Sequence, residues 1–207
     1  MNAKAIRLVV LAAAIGLLAE PALAHHVMGG KMPATFGDGL LSGLGHPVIG
    51  LDHFAAIVAV GCLAAAHRAG VFLALGYVLA MIAGVAAHLQ GATVPGGEIL
   101  VALSVVVLGG ILLTQRHLSA AAALALFAVV GLLHGYALGE SIYGAEQTPL
   151  AAYLIGLAAI QSAVALGALH VARLLAESHT LRLRLVGAGI TGIGIAVLMQ
   201  QFVGGIG

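Results

Sequence analysis

Three ionisable side chains fall within eight residues in the stretch His46-Pro47-Val48-Ile49-Gly50-Leu51-Asp52-His53. Imidazole nitrogen with carboxylate oxygen is a donor set that suits a borderline divalent cation such as nickel, cobalt or zinc. Cys62 is the single cysteine, which disfavours a soft-metal or iron–sulfur centre and rules out an internal disulfide. It lies in an apolar run and reads as a small packing residue. The surroundings sharpen the signal, because the chain is 62% hydrophobic and only 7% charged. An ionisable group that must enter a membrane is costly and points to an ion or proton pathway.

The local spacing adds geometry. Pro47 suits the first turn of a helix and leaves His46 just before it. His46 and His53 are seven apart and share a helical face, with Asp52 about 100° round from His53. Gly50 removes bulk and allows close backbone approach. Further along, Glu98 follows Pro95-Gly96-Gly97, and His134 and Glu140 close a later apolar run. These six residues, His46, Asp52, His53, Glu98, His134 and Glu140, form the candidate metal site. His25, His26 and His88 are second-tier candidates for metal capture. The competing reading of the main group is a buried polar network that fixes helix packing.

The elements that must position these residues are membrane spans. The chain has 207 residues, a mean hydropathy of +1.16 and 30 glycines. Apolar runs of this length signal transmembrane helices, and glycine lets such helices approach backbone to backbone. A β-barrel is excluded because the runs do not alternate. The net charge of +1 comes with no basic patch, so no nucleic-acid partner is expected. The expected fold is therefore all-α, a polytopic membrane bundle of six transmembrane helices. They fall near residues 48–66, 70–88, 98–114, 118–136, 149–172 and 185–204. A shorter helical or re-entrant segment, residues 34–45, leads into the first.

The N-terminus has the pattern of a secretory signal: Lys4 and Arg7, an apolar core over residues 8–19, and Ala22-Leu23-Ala24 as a small-x-small cleavage site. The expected organisation is a signal peptide over residues 1–24 and a single transmembrane helical domain over residues 25–207. Cleavage would leave His25-His26 at the new N-terminus, outside the cytoplasm. The loops then carry Arg68, Arg116, Arg173, Arg182 and Arg184 inside, while the outer loops hold Glu140 and Glu146 and no Lys or Arg. That asymmetry follows the positive-inside rule and implies a bacterial inner membrane with an outside mature N-terminus. Asp38 is expected to be solvated or to cap a helix. Gln161 and Ser162 are expected to hydrogen-bond between helices. Gly187-x-Gly189-x-x-Gly192 matches a dinucleotide fingerprint only superficially, because no strand precedes it; helix packing explains it better. The chain has no ATP-binding P-loop motif, and no lysine lies in a span to form a retinal Schiff base.

The motif His46-Pro-x-x-Gly-x-Asp52-His53 resembles the HupE/UreJ family of hydrogenase- and urease-accessory membrane proteins. Pro95-Gly-Gly-Glu98, with Ser104 and Leu108-Gly109 downstream, is similar to the family's second acidic segment, and His134-Gly135-Tyr136-Ala137 to its third motif. The resemblance covers the mature chain in order. It implies a secondary transporter or permease that imports nickel or cobalt for metalloenzyme or cofactor maturation, with His46, Asp52, Glu98 and His134 functional. One departure stands out: where relatives often carry a second histidine and then a glutamate in the third motif, this chain has Leu138 and Ser141, with the acid at Glu140. That weakens nickel relative to cobalt.

The expected substrate is thus Ni2+ or Co2+, with no permanently bound cofactor. The expected partners are the metal ion and the lipid bilayer; a homo-oligomer and a cytoplasmic metallochaperone are compatible with the reading. Two alternatives compete. One is a non-transporting accessory protein that binds metal for hydrogenase or urease assembly. The other is an intramembrane serine hydrolase built on Ser141 and His134, and Gly139-Glu140-Ser141 lacks the glycine such a site carries after its serine.

Overall fold

The computed structural model describes residues 32–176 and 180–203. The expected signal peptide and the His25-His26 pair lie outside these residues. Among the described residues the chain forms seven helices and no strands: α1 Phe36–Ile49, α2 Leu51–Ala64, α3 Gly70–Leu89, α4 Gly97–Thr114, α5 Ala120–Glu140, α6 Gln147–Ala176 and α7 Thr180–Val203.

Local chemistry sets the boundaries. Thr35 and Asp38 form a capping box at the start of α1: the Asp38 N–H donates to Thr35 Oγ1 at 3.1 Å, and the Thr35 N–H donates to Asp38 Oδ2 at 3.0 Å. Asp38 therefore caps, as one of its two expected roles had it. α4 follows Gly96, whose φ of +69° is a left-handed conformation that glycine adopts without strain. Ser119 caps α5 by accepting from the Ala122 N–H at 3.2 Å.

The largest departure from the sequence reading is at the first span. Residues 48–66 were expected to be one helix opening at Pro47. Instead Pro47 lies inside the last turn of α1, and Gly50 breaks the chain between α1 and α2 with a bend of 78°. The missing Pro47 N–H leaves the last turn of α1 one bond short, and Gly50 then takes an extended conformation, φ −69° and ψ 107°. By length and composition the described residues hold five helices, α3 to α7, able to cross a membrane, and six when α1 and α2 count together as one bent span. The segment expected over residues 34–45 is this α1, helical and carried on to Ile49.

The helices pair closely: α3 on α5, α4 on α7, and α1 with α2 along α6. Backbone proximity explains why these interfaces need glycine. A Cβ on Gly135 of α5 would overlap the Met81 carbonyl of α3, and one on Gly187 of α7 would overlap Leu113 of α4. The second contact is the packing role expected for the Gly187 pattern. α2 packs against all six other helices and buries ten of its residues, most of them small. Large apolar side chains such as Phe72, Leu79 and Ile155 point outward, where the bilayer supplies their environment.

Candidate metal site

The break at Gly50 is where the chemistry collects. His46 lies in the last turn of α1, while Asp52 and His53 open α2, and all three are buried at 3–4% exposure. On one straight helix, His46 and His53 would be separated by ~10 Å of rise. The bend brings their ring centroids to 6.1 Å, nearly edge to face. Asp52 lies in the first turn of α2, where the helix N-terminus favours a negative charge. Its Oδ1 accepts the His53 N–H at 2.8 Å, which ties the carboxylate to the histidine backbone.

α5 and α4 contribute the next residues. His134 of α5 is fully buried, and its ring centroid lies 5.0 Å from that of His53. His53 Nδ1 and His134 Nδ1 are 2.9 Å apart, and His134 Nε2 is 2.9 Å from Ser104 Oγ on α4. Ser104 Oγ also donates to the Val101 carbonyl at 2.7 Å. The contacts couple the tautomers, because Ser104 has one proton for two neighbours. With that proton on Val101, the hydroxyl accepts from His134 Nε2–H, His134 Nδ1 accepts from the His53 Nδ1–H, and His53 Nε2 is the nitrogen open to a metal. With it on His134, the same contacts run in the opposite direction.

The chain from His53 through His134 and Ser104 to the Val101 carbonyl resembles the supporting hydrogen bonds that orient a metal-bound imidazole. It ends on a helical carbonyl, which cannot pass a proton on. Both nitrogens of His134 are engaged by protein, so this histidine holds His53 rather than facing a cation itself. Ser104 drew notice in the sequence only through the family resemblance. A serine in an apolar run has no periodic signal of its own; its eight per cent exposure and its partner decide its role.

The remaining candidates separate from this group. Glu98, in the first turn of α4, and Glu140, the last residue of α5, are both exposed. Ser104 and His134 lie six residues further along their helices, about 9 Å by helical rise. The two glutamates thus stand at the helix ends above the buried group and do not complete it. His88, in the last turn of α3, is half-buried, with its ring 4.6 Å from that of Tyr136 and 5.7 Å from that of Tyr143. Among the described residues no three His, Cys, Asp or Glu side chains converge closely enough to hold a metal ion. Ser141 is not a partner of His134: its hydroxyl donates to the Leu138 carbonyl and meets Tyr153. The serine beside His134 is Ser104, whose hydroxyl also reaches the Val101 carbonyl at 2.7 Å.

Fold and site together define a multi-pass helical membrane protein with an imidazole–carboxylate group buried at a broken span. The chain belongs to the HupE/UreJ family of hydrogenase- and urease-accessory membrane proteins: the family described as HupE / UreJ protein matches residues 12–197. Protein HupE of Rhizobium leguminosarum bv. viciae is 32% identical over 127 residues, 60% of this chain. The aligned part spans 64% of that relative's own length. No solved structure matches.

Proposed function

We propose that the chain is a permease that imports a divalent transition metal, nickel or cobalt, across the inner membrane to supply metalloenzyme or cofactor maturation. The observation that carries this reading is the gathering of His46, Asp52 and His53 at the Gly50 break, with His53 oriented by His134 and Ser104. The donors match the borderline cations, and the anionic Asp52 offsets part of the cost of bringing a dication into the membrane. Partial convergence also suits transport, since a site that must release its ion binds best through few ligands.

Glu98 and Glu140 draw the cation to the outer mouth, and His88 and the N-terminal His25-His26 pair assist capture there. The ion then reaches Asp52 and the Nε2 of His53. Arg68, Arg116, Arg173, Arg182 and Arg184 keep their loops on the cytoplasmic side, which places the mature N-terminus outside. With no P-loop motif in the chain, downhill facilitated entry is the simplest mechanism.

The test is uptake of labelled nickel and cobalt in a metal-starved host. Asp52→Asn removes the buried charge and is expected to lower uptake at least tenfold at normal protein level, as is His46→Ala. Normal uptake in both variants would refute the site. Metal binding by the purified chain without flux in proteoliposomes would favour the non-transporting accessory role.

A further inference from the structure

Gln161 of α6 was expected to bridge helices, and it does not. Its side chain is 1% exposed, yet neither Oε1 nor Nε2 has a hydrogen-bond partner among the described residues. A buried amide that bonds to nothing is destabilising, and an apolar residue of similar shape would serve packing better. A polar residue kept at such a position inside a membrane is a candidate functional group.

Its position along α6 says what it faces. α6 runs alongside α1, and α2, bent away by 78°, crosses it further on. Gly43 of α1 packs on the α6 backbone at Tyr153 and Leu157, and Gly61 of α2 packs on it at Ala165. Gln161 lies one helical turn from each, on the same stripe as the fully buried Leu157 and Ala165. It lies between these two contacts on α6, as the Gly50 break lies between them on α1 and α2. A break of this kind frees the last carbonyls of one helix and the first N–H groups of the next. In transport proteins such interrupted helices supply the polar backbone that meets the ion.

The geometry points to Gln161 as a further residue of the permeation path, whose amide oxygen serves the divalent cation or its water as it passes the break. This rests on the permease reading. It adds a neutral oxygen donor from α6 to the imidazoles and carboxylate of α1 and α2, on a helix that contributes no other residue to the candidate site.

Packing and permeation roles predict different results for Gln161→Leu. The experiment uses the full chain in proteoliposomes, with nickel and cobalt flux read beside the thermal unfolding midpoint. The expected result is a midpoint equal to or above that of the wild type, with flux reduced at least tenfold. Gln161→Glu keeps a carboxyl oxygen at the same reach and is expected to recover at least half of the wild-type flux. Flux within twofold of the wild type in Gln161→Leu would overturn the inference. So would a fall in both midpoint and flux that Gln161→Glu does not reverse, the mark of a structural role. If the wild-type chain carries no flux, or Asp52→Asn leaves flux unchanged, the permease reading fails, and this inference with it. If Asp52→Asn abolishes flux and Gln161→Leu does not, only the inference fails.

Discussion

At the scale of single residues, the site is a line of coupled protons. A Ser104 hydrogen given to the Val101 carbonyl propagates through His134 to leave the His53 Nε2 open. Replacing Ser104 by Ala removes the hydrogen-bond partner of the buried His134 Nε2. Leaving such a buried polar atom unpaired costs about 1–3 kcal/mol, so Ser104→Ala is expected to lower the unfolding midpoint of the purified protein. It is also expected to weaken nickel or cobalt binding by ~10–100-fold, the usual penalty for losing a hydrogen bond that orients a metal ligand. A metal titration of the variant beside the wild type measures both effects. The imidazoles and the carboxylate were legible in the sequence because residue type alone declares their chemistry. Ser104 was not, because only its distance from His134 gives a serine in an apolar helix a role.

At the scale of elements, the break between α1 and α2 makes the site. Residues 46–53 carry both a proline and a glycine, and the sequence reading had a helix opening at Pro47. Instead Pro47 lies in the last turn of α1, with Gly50 extended and the two helices at 78°. Gly50 has little room: a Cβ there would lie 2.9 Å from His53 Cδ2 and 3.3 Å from Asp52 Oδ1. Gly50→Val should therefore displace both side chains while leaving the long helices paired. The expected outcome is uptake reduced at least tenfold with protein in the membrane fraction close to the wild-type amount. Unimpaired uptake in this variant would mean that the spacing of Asp52 and His53 is not critical.

At the scale of the whole molecule, the bundle depends on helix backbones in direct contact. A Cβ at Gly135 would overlap the Met81 carbonyl, whereas nothing lies within 4 Å of one at Gly110. Backbone cannot yield as a flexible side chain does, so Gly135→Leu should cost at least the upper end of the ~1–3 kcal/mol typical of overpacking. Gly110→Ala should be neutral or slightly stabilising, because alanine favours the helix by ~0.5–1 kcal/mol. Folded protein recovered from membranes, with the unfolding midpoint, checks the pair. Gly135 follows His134 directly, so the contact that joins α5 to α3 also fixes the height at which His134 meets His53.

The sequence by itself determined the helical membrane class, the bounds of most spans, the charge asymmetry of the loops, the kinship with HupE/UreJ proteins and the donor chemistry of His46, Asp52 and His53. These properties are local or compositional: a span needs only a long apolar run, and a family motif only its spacing. The tertiary structure decided which distant residues meet. It paired His53 with His134 and His134 with Ser104, left Glu98 and Glu140 exposed at helix ends, and enclosed Gln161 without a partner among the described residues. Such choices depend on the register at which helices dock. Small residues set that register by allowing one backbone to touch another, and hydropathy along a single helix does not encode it.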